Sequence, residues 1–418
     1  VLLESTYGDR NHRSMEETLD EFEQVILEAS ENGGNILIPS FAVGRTQEII
    51  FRLGELYQQG KLAQQRVFLD SPMAIAVTEI YHRYQDVYND ELQNLDQILT
   101  QKVANETGVI KLYIAVLRTL NVKHELVLTS DRKQLKFDTE FEATNFLTDF
   151  LLYFPKTKKY LSPNASGTRY GFPMPYLTDN YGLFIKEVVI GDYKSAVGKI
   201  KYIEPVNVKE TIDVMKVTID FNEDDLTENI VHFDRAFSGY YAMNIQPFMH
   251  LIQGEDREEL VEGIMESITK DLEITNKKMV NDESELFGIK PLQFVVDFTT
   301  EAFVEKAGRK YLFKLGDLIG QQIQMYQEKE RVLPLEEQFH RSYYRTLTIN
   351  IPEGYKITNL DDINIDNSYS KESKELFSFK SFYKLIGNKL TITADEHYRE
   401  NIVPVNVYEE YRTVINSA

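Results

Sequence analysis

The stretch GGNILIPSFAVGRTQEII, Gly33–Ile50, decides how the first part of the chain is read. Gly33-Gly34 stops a preceding helix, Asn35–Ser40 is a short apolar run of strand length, and Arg45–Tyr57 carries apolar residues at helical spacing. The same alternation continues on both sides. Upstream, Ser14-Met15-Glu16-Glu17 has the form of a capping box and opens a helix with Leu19, Phe22, Ile26 and Ala29 on one face. Before it, Val1–Glu4 reads as a strand that carries the Glu4 carboxylate to its tip. Downstream, Val67–Asp70 reads as a third strand and Ser71-Pro72 as the start of another helix. Strand and helix in turn at this spacing predict a parallel sheet with right-handed crossovers, and ligands meet such sheets at strand ends.

The bulk numbers bound what this sheet belongs to. A chain of 418 residues has room for two to four domains, and 42% hydrophobic with 27% charged residues is ordinary for a globular protein. The net charge of −20 is spread along the chain without a basic stripe, which argues against autonomous nucleic-acid binding through phosphate contacts. With no cysteine there is no disulfide framework, no thiolate metal site and no cysteine nucleophile. No run of about 18 apolar residues is present, so no membrane span is expected. A strand at residue 1 with no initiator Met predicts that the true start lies elsewhere.

Beyond residue 90 the pattern changes. Gly108–Leu120 reads as a helix and Glu125–Asp131 as a strand behind it; Thr148–Pro155 and Lys158–Pro163 read as strands of an antiparallel sheet. Past about residue 205, alternation dominates: Val217, Ile219 and Phe221, then Leu347, Ile349 and Ile351. Lys384–Thr393 is a hairpin broken at Gly387-Asn388, and helices are expected around Glu258–Thr269 and Phe313–Glu328. The acidic stretch Asn359–Asn367 lacks the order of a calcium loop and reads as a polar turn. Three regions result: 1–90 α/β, 91–205 α+β, and 206–418 a β-sandwich with a helical insertion.

Three blocks in the first region, LLESTYGDRNHR, GGNILIPSFAVGRTQEII and VFLDSPMA, resemble in order and spacing the β-CASP metallo-β-lactamase RNA-processing hydrolases. The resemblance covers roughly residues 1–90. It implies two zinc ions that activate water against a phosphodiester, held mainly by a His-x-His-x-Asp-His cluster. It makes Glu4 the carboxylate that orients a histidine near the leaving group. Ser40, Gly44 and Arg45, at a turn and helix start, and Asp70 with Ser71 become candidates for a phosphate or RNA cleft. The chain departs from the pattern at its centre. None of His12, His82, His124, His232, His250, His340 and His397 stands at ligand spacing, so no metal is assigned to this chain, and zinc is expected only with the missing metallo-β-lactamase half.

The remaining residues, about 92–418, resemble the C-terminal part of multidomain transglutaminase-like proteins of Bacteroidetes type, whose catalytic domain has a papain-like fold. The segments that carry this are Ala104–Arg132, Phe141–Pro155, Lys159–Ala165 and Lys306–Ile357. The resemblance implies a Cys at a helix start, a His and an Asp on following strands, and acyl transfer through the thiolate. Here those positions hold Glu106, Phe146 and Ser162, none of which can replace its counterpart.

No Pro/Gly/Ser-rich linker separates the two resemblances near residues 88–101. The reading is therefore a composite: an interior piece of a β-CASP hydrolase joined to a degenerate transglutaminase-like module. Its expected role is non-catalytic binding or scaffolding, with a peptide or protein partner for the C-terminal region. The alternative is a zinc-dependent RNA hydrolase whose metal-binding half is absent, with RNA as partner only in that case. The compartment stays open, since one resemblance implies the cytoplasm and the other export.

Overall fold

A computed structural model describes residues 14–33, 35–41, 45–63, 65–83, 94–190, 193–320 and 324–418. The chain divides into two compact units, Val1–Lys111 and Leu112–Ala418.

In the first unit the helices follow from local signals. Helix α1 (Met15–Asn32) opens on the capping box: the Ser14 side chain accepts from the Glu17 amide, the Glu17 carboxylate accepts from the Ser14 amide, and Gly33 ends the helix at φ +68°. Helices α2 (Arg45–Gln58), α3 (Pro72–Arg83) and α4 (Leu95–Gln101) follow. Phe22 and Ile26 of α1 pack on Leu53 and Leu56 of α2 and on Leu62, a core of three fully buried apolar side chains with their neighbours.

The parallel sheet is not found among the described residues of this unit. Asn35–Ser40 and Val67–Asp70 form no strand, and Leu37 and Phe68 are 92% and 85% exposed. An apolar run becomes a parallel strand only when neighbours supply both ladders and both faces, and these two segments do not pair with each other. The strand expected at Val1–Glu4 lies outside the described residues. So small a core beside exposed apolar segments predicts that limited trypsin digestion removes residues before about 112 first. Survival of that piece after the rest is degraded would contradict this.

The second unit begins within helix α5 (Glu106–Thr119). A five-stranded antiparallel sheet follows, made of β1 (Glu125–Thr129), β2 (Asp149–Phe154), β3 (Lys159–Leu161), β4 (Asn180–Ile190) and β5 (Tyr193–Ile203), in the order β3-β2-β1-β4-β5. Val127, Leu151, Tyr160, Phe184 and Ile203 fill one core on it, and Arg118 of α5 pairs with Glu187 of β4 at 3.1 Å.

The second sheet has eight strands. Its members are β6 (Ile212–Phe221), β7 (Asn229–Phe237), β8 (Glu273–Val280), β9 (Leu292–Thr300), β13 (Arg341–Asn350), β14 (Ile365–Lys371), β15 (Lys374–Ile386) and β16 (Lys389–Tyr398). Their order is β14-β15-β16-β13-β6-β7-β9-β8. The hairpin β10 (Val304–Ala307) with β11 (Lys310–Phe313), the short pair β12 (Leu335–Glu336) with β17 (Ile402–Val403), and helices α6 (Glu255–Glu266) and α7 (Tyr408–Ile415) complete the unit. Alternation brings Met215, Val217, Ile219, Phe233, Phe294, Val296, Leu347 and Ile392 into one core with Val261 and Met265 of α6. A second core forms where Tyr411 and Val414 of α7 meet Phe377 and Tyr398.

Two expectations are corrected here. Alternation identifies side chains that share a face, not which strands pair. Strand β13 docks parallel on β6 and antiparallel on β16, so one continuous hydrogen-bonded sheet stands where a sandwich of two was expected. The helix expected over Phe313–Glu328 is a 3-10 turn at Leu315–Ile319, ended by Gly320 at φ +83°. By contrast α6, the polar 3-10 turn at Leu360–Ile363, and the β15–β16 hairpin through Gly387-Asn388 stand where expected.

A glycine is required just after β7. Gly239 sits at φ +58°, where a Cβ would strike the Glu210 carbonyl oxygen and approach Thr211 Oγ1 to 2.7 Å. Gly239→Ala is expected to lower the urea midpoint by an amount worth at least about 1 kcal/mol. An unchanged midpoint would show that the β6–β7 end accommodates the methyl group.

Candidate functional site

Glu4 and Gly44 lie outside the described residues. Ser40 is exposed and shares a 2.8 Å hydrogen bond with Thr46 Oγ1, which also lies 2.7 Å from the Phe41 carbonyl it donates to. Arg45 opens α2 and pairs with Glu48 at 2.9 Å. Asp70 is exposed, and Ser71 Oγ accepts from the Ala74 amide at 3.2 Å at the start of α3. Gln47, in the first turn of α2, donates to Thr78 Oγ1 at 3.0 Å and reaches the Ala74 carbonyl at 3.5 Å. The beginnings of α2 and α3, carrying Arg45 and Ser71, are therefore neighbours.

The three positions that the transglutaminase resemblance singles out hold side chains with structural duties. Glu106 is the first residue of α5, where a carboxylate meets the positive end of the helix dipole, and Asn105 Oδ1 accepts from the Gly108 amide at 2.8 Å. Phe146 is buried against Phe137 with ring centroids 5.2 Å apart. Ser162 is buried; its Oγ accepts from the Met174 amide at 2.9 Å and its carbonyl accepts from Thr168 Oγ1 at 2.8 Å. Glu106 belongs to the first compact unit, Phe146 and Ser162 to the second.

Among the described residues a buried ion cluster lies elsewhere, on the core-facing side of the eight-stranded sheet. Asp213 of β6 is 1% exposed and is gripped by two guanidinium groups, Arg235 of β7 at 2.8 Å and Arg345 of β13 at 2.9 Å. Arg345 also donates to the Asp213 carbonyl at 2.8 Å. Burial alone would raise the Asp213 pKa, but Arg345 and Arg235 outweigh it and hold the carboxyl below its ordinary value. Four residues earlier, at the start of β13, Arg341 pairs with Glu337 at 3.0 Å and lies over the Tyr398 ring at 4.4 Å. Tyr411 donates to Glu337, and Tyr398 to Glu396. Burial works against ionised Glu337, yet Arg341 and the Tyr411 hydroxyl hold its pKa low; at Glu396 burial prevails and the pKa rises.

Beside this cluster Arg132 is buried, donating to the Thr178 carbonyl at 3.1 Å and to the Glu337 and Gln338 carbonyls at 2.9 and 2.8 Å. It thus ties the loop after the first sheet's β1 to the segment entering β13. Asp213 and Glu337 are each paired with arginine, and the buried Ser342 hydroxyl, next to Arg341 in β13, hydrogen-bonds to His397 Nδ1 at 2.9 Å. The arrangement clasps the two sheets of the second unit together. Sequence reading passed over it although a signal existed: Asp213 lies in phase with Met215, Val217 and Ile219, and Arg341 and Arg345 with Leu347 and Ile349. A charge in the apolar phase of a strand marks a buried ion that must have a partner.

Among the described residues no three His, Cys, Asp or Glu side chains converge as metal ligands. A zinc site needs three or four such donors, so these residues do not fit the zinc centre that the β-CASP resemblance implies.

Comparison with known proteins separates two matched regions. Residues 46–139 match the Beta-Casp domain, and residues 310–418 match a "Domain of Unknown Function with solved-structure structure (DUF3858)". The first region thus resembles RNA-processing nucleases, and that match runs on past residue 90 through α5 and β1. Among individual relatives, Ribonuclease TTHA0252 of Thermus thermophilus is 44% identical over 94 residues, 22% of this chain and 21% of that protein. The RNase J-like protein of Methanocaldococcus jannaschii is 33% identical over 97 residues, 23% of each chain. Cleavage and polyadenylation specificity factor 73 of Drosophila melanogaster is 31% identical over 94 residues, 22% of this chain and 14% of that protein. The chain spans about a fifth of the length of the first two. A crystal structure of a provisionally assigned protease from Parabacteroides distasonis aligns with 97% of this chain and 53% of its own at 12% identity and TM-score 0.35, which assigns neither fold nor activity.

Proposed function

We propose that this is a composite chain whose residues 91–418 act as a non-catalytic binding module of transglutaminase-like descent, with a peptide or protein as partner. The observation that carries this reading is the chemistry at the three triad positions. A carboxylate at a helix start, a buried phenyl ring and a buried hydroxyl cannot supply a thiolate, a proton shuttle and its orienting acid. Each of the three is spent on helix stability, packing or a backbone hydrogen bond. Incubated with a glutamine-containing peptide and a primary amine, the full chain is expected to release no ammonia above a protein-free control. Turnover that disappears in Glu106→Ala would overturn the reading.

A second reading follows from the 44% identity to a ribonuclease over 94 residues. In it the chain takes part in zinc-dependent RNA hydrolysis with metal ligands supplied from elsewhere, and Glu4, Ser40, Gly44, Arg45, Asp70 and Ser71 belong to its cleft. The full chain with added zinc is expected to leave 5′-labelled single-stranded RNA intact. Cleavage abolished by Glu4→Gln would favour this second reading over the first.

A further inference from the structure

Between the β10–β11 hairpin and the β13 and β16 part of the large sheet lies a cavity of about 560 Å³, within the matched region of unknown function apart from a few wall residues. Its floor is the continuation of the apolar face, Leu347, Ile349, Leu390 and Ile392, all buried. Phe221 and Phe313 stand in one wall with ring centroids 6.1 Å apart. The core side chains that cover this face above β6, β7 and β9 do not close it here. A cavity of this size with apolar walls and few polar groups has the character of a small-molecule site.

The charge at its mouth identifies the occupant. The chain as a whole is strongly acidic, at −20. Yet of the charged side chains lining the cavity, Arg309, Lys310, Arg345 and Lys356 are cationic and Asp362 alone is anionic. Arg345 is committed to Asp213. Arg309, Lys310 and Lys356 are exposed and form no ion pair among the described residues. Three uncompensated cations gathered at one apolar opening of an acidic protein suit a ligand with an anionic head and an apolar tail.

We propose that this cavity binds an amphiphilic organic carboxylate, its hydrocarbon tail against Leu347, Ile349, Leu390 and Ile392 and its carboxylate at Lys310 and Lys356. This inference stands apart from the proposed partner-binding role and does not rest on it. It also places the ligand one side chain away from the Asp213 ion cluster, since Arg345 lines the cavity and pairs with that carboxylate.

The test is calorimetric titration of the full chain with dodecanoate, and in parallel with the uncharged alcohol dodecanol, below their aggregation concentrations. Dodecanoate is expected to bind saturably at one site and more tightly than dodecanol. The double variant Lys310→Glu/Lys356→Glu changes two exposed side chains and should weaken dodecanoate by about tenfold or more while moving dodecanol less than about twofold. Ala394→Phe, which fills the cavity from its floor, should weaken both. Absence of saturable dodecanoate binding to the native chain would overturn the proposal. So would equal affinity of native chain and charge-reversed variant for dodecanoate, as expected of adsorption to any apolar surface. If sedimentation shows the native chain to be a dimer that Ala394→Phe dissociates, the cavity is an interface between copies and the proposal fails. Should Ala394→Phe not fold, the charge-reversal pair still decides the matter, because its two positions are exposed.

Discussion

Asp213→Asn is expected to remove about 3–5 kcal/mol of folding stability from the second unit, the cost of breaking a buried ion pair from one side. Asparagine preserves the shape, so the loss isolates charge from packing. Two guanidinium groups would then stay buried against a neutral amide, with Arg235 and Arg345 sharing no counter-ion at hydrogen-bond range. The pH dependence has a defined sign. The folded pKa of Asp213 lies below its ordinary value, so its contribution is present above about pH 4 and fades as pH falls through the depressed folded value. Urea unfolding followed by far-ultraviolet circular dichroism at pH 7 measures the effect. A loss below about 1 kcal/mol would mean that water or Glu396 takes over the counter-ion role, and the clasp would then not be a stabilising element.

His340 carries the second large effect, through pH. Burial pushes its pKa down from 6.5 to about 4; Asp179 opposes the shift, while Lys374, Arg132 and Arg341 reinforce it. The unfolded chain therefore binds a proton at this residue that the folded chain refuses between about pH 6.5 and pH 4. Stability falls by about 3 kcal/mol as pH drops across that window. Other groups titrate nearby with the opposite sign: Glu396 and Asp395 have raised pKa values, and their contributions weaken as pH rises. The measurement is therefore a difference. Urea midpoints of the native chain and of His340→Gln are compared at pH 7 and pH 4.5. The native chain should lose the larger amount, and parallel losses would place the titrating group elsewhere.

Local chemistry was legible in the sequence, and partnership was not. The capping box at Ser14 and Glu17, the break at Gly33, and the turn at Gly387-Asn388 each involve a few adjacent residues whose backbone preferences do not depend on the rest of the fold. Asn35–Ser40 and Val67–Asp70 have strand composition, but a strand is a relation between segments, and here no ladder accompanies the composition. The helix expected after Phe313 is a 3-10 turn at Leu315–Ile319 that closes on Gly320. Gly320 turns to φ +83°, and a Cβ there would meet the Ser267 carbonyl oxygen at 2.9 Å. Glu106, Phe146 and Ser162 are singled out by order along the chain alone, and Glu106 falls in a different compact unit from the other two. The ion cluster around Asp213 could have been suspected from phase alone, but its pairing needed β6, β7 and β13 to be adjacent.

That adjacency has a consequence for how the chain is made. The ladder between β6 and β13 matches Ser342 to Ile212 and Ile349 to Ile219, across some 130 residues of intervening polypeptide. A ribosome releases β6, β7, β8 and β9 long before it reaches β13, and during that interval one side of β6 is a raw edge with its amides and carbonyls unmet. Any product that stops short of Asn350, whether from early termination or from proteolysis, keeps that edge permanently and becomes a template for aggregation.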